Sequence, residues 1–283
     1  MAEFDFISND KRQGGFFTLS FFILLTLFFV FSFLLNPVVS KIEDSNLKFL
    51  LILLPFFLSI IFFSIYLKLF TNDLNFKLLI SSNKKINLKK IGFAFFIWFI
   101  VLTILLLIKF IFQPSNYFFH FNVFSFLILS IISIIFVSFQ AFFEELLFRS
   151  LLLKAFSFKK NKIWFTILFS SFMFSIMHLN NPEIIYIGYI VLFYYFLSGI
   201  FLSILTVLDN GIELSLGFHI ANNLFGSLII TNKWQVFQTK ALILDKSLPK
   251  FSWDIWIILV ILYPFCIFLY CKVYKRSFGL IFA

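Results

Sequence analysis

Charge is scarce in this chain. Only 13% of its 283 residues are Asp, Glu, Lys or Arg, against 61% hydrophobic residues that include 50 phenylalanines. A soluble globular domain carries about 25% charged residues, so one is excluded, and the mean hydropathy of +1.03 points to a polytopic membrane protein. Cysteine is rarer still. Cys266 and Cys271 stand five residues apart at the end of the last apolar run and would point about 140° from each other on a helix, which excludes a disulfide framework or a metal pair. The alternating strand pattern of a membrane barrel is absent, as is any internal repeat of the kind that marks many secondary transporters. The first apolar run follows Lys11 and Arg12 but has no small-residue cleavage site, so it reads as a retained span and not a removable signal.

What is abundant is apolar sequence in long blocks. Runs at Phe16 to Leu35, Phe49 to Leu69, Ile91 to Ile111, Phe121 to Leu153, Ile163 to His178, Ile184 to Leu208, Leu214 to Ile230 and Ile255 to Tyr270 reach or approach the ~20 helical residues that cross a bilayer. Helices are the open-chain solution in lipid, because every backbone N–H and C=O must be satisfied internally. The expectation is therefore an all-α, polytopic membrane helical bundle of about eight transmembrane helices, forming one integral membrane unit. Within it, residues 1–120 hold the first three helices, 121–231 a core of helices 4 to 7, and 232–283 an outer loop and the last helix. The formal charge of +10 does not indicate nucleic acid, since the basic residues lie in short clusters between apolar runs and not on one face. Those clusters place both termini on the cytoplasmic side: 16 of the 23 lysines and arginines then fall inside, in a multi-pass protein of a prokaryotic cytoplasmic membrane.

Against this background FFEELLFRS, Phe142 to Ser150, is anomalous. Each charge near the middle of a span costs about 2.5 to 3.5 kcal/mol on insertion scales. Glu145 and Arg149 stand at i, i+4 and neutralise each other on a helix, whereas Glu144 is rotated by about 100° and has Phe148 at its own i+4 position. A plain alternative ends the run near Phe143, leaving these charges among the headgroups. Of only three histidines, His178 and His219 lie at or within later apolar runs, and His219 shares a helix face with Asn223, beside Asn222. Singly, such residues often serve as interhelical glue or, for His178, as a helix-end cap. Together they offer a carboxylate to take a proton from water, imidazoles to exchange protons, and an amide donor for an oxyanion, which is what a hydrolase needs.

EELLFR from Glu144 to Arg149, FSIMH from Phe174 to His178 and HIANN from His219 to Asn223 fit the ordered motifs EExxxR, FxxxH and HxxxN. In this the chain resembles the CPBP family of intramembrane proteases, also called the Abi or CAAX-protease and bacteriocin-processing family, which includes the Ras-converting prenyl-protein endoproteases. The resemblance covers about Gln140 to Gly226. It implies an endopeptidase acting on a membrane-embedded or lipidated peptide, in which Glu144 activates water, His178 positions or protonates it, and His219 and Asn223 stabilise the oxyanion. Glu145 and Arg149 support that site. No covalent intermediate is implied, because the nucleophile is water. The preferred reading uses no cofactor; zinc held by Glu144, His178 and His219 is the alternative, although HExxH is absent. Other readings are a non-proteolytic scaffold or bacteriocin-immunity factor of the same fold and, behind these, a transporter or proton relay. For Glu144, His178 and His219 to meet at one depth, the fifth span must tilt or begin outside the lipid, and the cavity is expected to open to the cytoplasmic side. The sequence leaves the oligomeric state open.

Overall fold

The computed structural model describes residues 11–70, 79–82, 85–119, 121–156, 163–277 and 279. Of the lysines used to orient the bundle, Lys77, Lys84, Lys159, Lys160 and Lys162 lie outside the described residues. The chain is a polytopic helical bundle. Helix α1 is Lys11–Val39, α2 Ser45–Phe70 and α3 Leu88–Phe112. Helix α4 is the long Val123–Phe156, α5 is Ile163–Met177 and α6 the short Pro182–Ile187. Then come α7, Ile190–Asp209, α8, Glu213–Leu224, which continues through wider π-helical turns at Phe225–Ile229, and α9, Trp253–Val273.

Among the described residues six of these helices, α1 to α4, α7 and α9, are long and apolar enough to cross a membrane, so the count of eight is not confirmed. The difference falls at α5 and α8. With 15 residues α5 extends only about 22 Å, short of a hydrocarbon core of about 30 Å. The run from Ile184 to Leu208 is also not one helix. Pro182 starts α6, and Gly188, at φ 94°, turns the chain through the left-handed region before α7 begins. The chain thus enters the bundle on α5, turns within 178–189 and leaves on α7.

Side-chain caps set several boundaries. Asn87 accepts the backbone N–H groups of Lys89 and Lys90 at the start of α3, and Asn122 accepts that of Ser125 at the start of α4. Asn210, at φ 59°, closes α7 in the left-handed conformation. Two glycines bring helices close. A Cβ on Gly199 would lie 2.9 Å from Ser171 Cα, so α5 and α7 touch backbone to backbone; one on Gly217 would lie 2.2 Å from the Ile91 carbonyl, fixing α8 against α3. Ser170 donates to the Phe148 carbonyl at 2.8 Å and Ser175 to that of Leu192 at 2.8 Å, tying α5 to α4 and α7.

The end of the bundle opposite the termini is closed by a small sheet. Its strands β1 (Tyr117–Phe119), β2 (Ile230–Thr231) and β3 (Ile243–Asp245) lie in the order β1-β3-β2, with β1 antiparallel and β2 parallel to β3. Phe33, Phe124, Ile185 and many other large apolar side chains project outward, a surface suited to lipid and not to water. This is an integral, multi-pass membrane protein.

Candidate active site

The acidic motif lies two-thirds of the way along α4, where the helix changes pitch. The segment Glu145–Leu152 makes i→i+5 turns, so successive side chains are separated by less than the 100° of an α-helix. Both glutamates reach the same imidazole, which comes from α8. Glu145 Oε1 lies 2.8 Å from His219 Nδ1, and Glu144 Oε2 lies 3.5 Å from His219 Nε2. Glu145 is also paired with Arg149, at 3.5 Å, and both are completely buried. The guanidinium of Arg149 sits 4.1 Å from the centroid of the Phe174 ring, and its N–H groups make no hydrogen bond among the described residues. The pairing expected from sequence is present, but Glu145 does more than neutralise Arg149: it orients His219. The helix does not end near Phe143 but continues to Phe156, and Glu144 is only 9% exposed.

Glu144 is held from the other side. Gln140, one helical turn earlier, donates its amide to Glu144 Oε1, while its own carbonyl accepts from Asn223 Nδ2 at 2.8 Å. Asn222 donates to Asn223 Oδ1 at 3.2 Å and accepts from Trp98 Nε1 at 3.3 Å. A chain of amides therefore runs from α3 through α8 to Glu144. Gln140 carries no sequence signal if only the i+4 neighbour of Glu144 is considered; the i−4 position supplies the partner. Asn223 meets Glu144 through Gln140 and not directly.

His178 lies in the turn after α5, which is how a short helix delivers an imidazole to the bundle interior. Its Nδ1 is 2.7 Å from the Phe174 carbonyl. A carbonyl only accepts, so Nδ1 carries the proton and Nε2 keeps a lone pair in the neutral ring. The ring stacks on Tyr195 with centroids 4.0 Å apart, and Asn181 fixes the Tyr195 hydroxyl at 3.0 Å. Phe174 packs against both imidazoles, with its ring centroid 4.5 Å from His178 and 6.2 Å from His219.

Glu144, His178, His219 and Asn223 all line one cavity of about 420 Å³. Its wall also includes Tyr195 and, from the loop beyond β2, Val236 and Phe237. That loop is at the bundle end opposite the termini, so the cavity does not lie toward the side expected if the termini are cytoplasmic. The reason is the direction of α5, which carries His178 at its far end. Glu144 Oε2 is buried and makes no hydrogen bond among the described residues, leaving it available to a proton.

The engagement of His178 Nδ1 by a carbonyl and of His219 Nδ1 by a carboxylate leaves Nε2 of each ring free and does not distinguish a metal site from a metal-free one. Among the described residues no three His, Cys, Asp or Glu side chains are close enough together to form a group that could hold a metal ion, and no step below passes through one.

Residues 124–225 match the family described as Type II CAAX prenyl endopeptidase Rce1-like, a segment that contains all three motifs. The chain is also 33% identical over 168 residues to the uncharacterized protein YyaK of Bacillus subtilis (strain 168), an alignment covering 57% of this chain and 54% of the relative. The match therefore spans about half the length of that relative. No solved structure gives a significant match. The resemblance drawn from EELLFR, FSIMH and HIANN agrees with the family match.

Proposed function

We propose that this protein is an intramembrane endopeptidase that hydrolyses a peptide bond of a membrane-embedded or lipidated polypeptide with a water activated by Glu144. The observation that carries the reading is the split environment of that carboxylate. One oxygen is tethered by Gln140, while the other faces the cavity, 3.5 Å from His219 Nε2. Such a group is positioned to take a proton from water without rotating away. His178 Nε2 accepts a hydrogen from the same water and aligns it. As the water attacks, the carbonyl oxygen becomes negative and needs a donor. His219, oriented through Nδ1 by the Glu145 carboxylate, serves as one donor through a protonated Nε2, and the second N–H of Asn223 adds another. Glu144 then returns the proton to the leaving amine. No cofactor is required by this sequence of steps.

Orientation bears on the substrate. The charge distribution favours cytoplasmic termini, and the cavity wall reaches the opposite end of the bundle, so the proposed substrate is presented from the extracytoplasmic side. The test uses purified protein in liposomes with quenched fluorescent peptides, farnesylated CAAX peptides and unlipidated transmembrane-flanking peptides among them. Wild-type cleavage that falls at least a hundredfold in Glu144→Gln, at equal expression and thermal stability, supports the proposal. Retained cleavage in Glu144→Gln refutes it. Loss of cleavage on chelation that added Zn²⁺ restores would replace the metal-free step.

A further inference from the structure

A second cavity, of about 520 Å³, lies beside the first under the outer sheet and the segment leading into α9. The two share Glu183, Tyr194, Tyr195 and Gln235 as lining residues. Of these, Glu183 is the one whose bonding is incomplete. It is 8% exposed, and its Oε1 accepts the Val236 backbone N–H at 2.9 Å, which fixes the side chain against the loop. Its Oε2 is buried and has no hydrogen-bond partner among the described residues. A buried carboxylate oxygen left unsatisfied at the junction of two cavities is unfavourable by itself, and such an acceptor is normally matched by a donor from protein, water or ligand.

We infer that the second cavity is the route by which the polypeptide reaches Glu144, and that Glu183 binds it there, Oε2 accepting an N–H of the substrate. This rests on the peptidase reading for what is bound. Tyr195 connects the two positions: it belongs to the shared wall and stacks on His178, so a chain lying along that wall passes from Glu183 to the imidazole side of the site. Glu183 is then a substrate-binding residue remote from the bond broken, and its interaction is the same before and during reaction. Removing such an interaction raises KM and leaves kcat in place.

Glu183→Gln is the informative change, because its carbonyl still accepts from Val236 while an NH₂ replaces the free oxygen and reverses its hydrogen-bonding polarity. With the quenched peptide cleaved best by the wild type, KM rises about tenfold to a hundredfold at unchanged kcat and unchanged melting temperature. A rise confined to peptides with lysine or arginine near the cut assigns the donor to that side chain; a rise for all peptides assigns it to the backbone. Unchanged KM, or equal loss of kcat and melting temperature, overturns the inference. A second readout does not depend on cleavage. In Glu144→Gln protein with both cysteines replaced by serine, the same peptide protects Val236→Cys from a water-soluble maleimide, and Glu183→Gln abolishes the protection. Glu183-dependent protection in a protein whose wild type cleaves none of the peptides removes the peptidase reading and leaves the binding site. Normal cleavage by Glu183→Gln does the reverse.

Discussion

Replacing Glu145 by glutamine preserves its shape and removes its charge, and the consequence depends on which of its two partners matters. Arg149 and Glu145 are both fully buried and 3.5 Å apart, and no hydrogen bond among the described residues offsets the desolvation of the guanidinium. Removing one member of a buried pair costs about 3 to 5 kcal/mol, because the other charge is left uncompensated. Glu145→Gln and Arg149→Met are each expected to lower the melting temperature in detergent. The double variant leaves no lone charge and is expected to recover most of that loss, less the contribution of the guanidinium over the Phe174 ring, about 0.5 to 2 kcal/mol. Turnover should behave differently. The hydrogen bond of 2.8 Å that the Glu145 carboxylate accepts from His219 Nδ1 is lost as a charged contact in both Glu145 variants. A misplaced His219 is expected to reduce kcat about 10² to 10⁴-fold, the scale of a general acid or base. The double variant is therefore expected to be stable and slow. Arg149→Met alone, once its stability is restored by lower temperature, keeps much more activity. Recovery of wild-type kcat in the double variant would show that Glu145 merely neutralises Arg149 and would refute its assignment to His219.

Gln140→Ala frees Glu144 Oε1 and the Asn223 amide together. It is expected to lower kcat about tenfold, in keeping with the loss of a charge-assisted hydrogen bond, and adding Asn223→Ala should have much less than its separate effect. Gly217→Ala places a methyl 2.2 Å from the Ile91 carbonyl, so α8 must separate from α3. A loss of about 1 to 3 kcal/mol in thermal unfolding is expected, and unchanged stability would contradict the close packing.

The chemistry was legible in the chain because a membrane makes polar residues conspicuous. Glu144, Glu145, Arg149, His219 and Asn223 stand out from their apolar neighbours; the structure gathers Glu144, His219 and Asn223 with His178 around one cavity and buries Glu145 with Arg149 against His219. Helix number was less legible, since hydropathy counts apolar residues without regard to what buries them. Helix α5 and the Glu213–Leu224 helix are apolar enough to resemble spans, yet α5 is too short to match the bilayer thickness and the Glu213–Leu224 helix is largely enclosed by its neighbours. Gly188 breaks the sixth run, but a glycine in an apolar stretch is equally compatible with a kinked span.

The finer geometry escaped because an angle of 100° per residue separates Glu144 from Glu145 and, within one helix, assigns each a different partner. The imidazole comes from another helix and is approached by both carboxylates, Glu145 at Nδ1 and Glu144 at Nε2. Their division of labour survives through different surroundings. Glu145 is enclosed by Arg149 and His219, whereas Glu144 borders the cavity with one oxygen tied to Gln140. A buried ion pair and a tethered acid one residue apart thus have complementary uses: the first sets the direction of His219, and the second retains the freedom to exchange a proton. Glu183, in contrast, had no motif to announce it. Its significance arises only where the loop carrying Val236 folds back over the bundle, joining residues 53 positions apart in sequence.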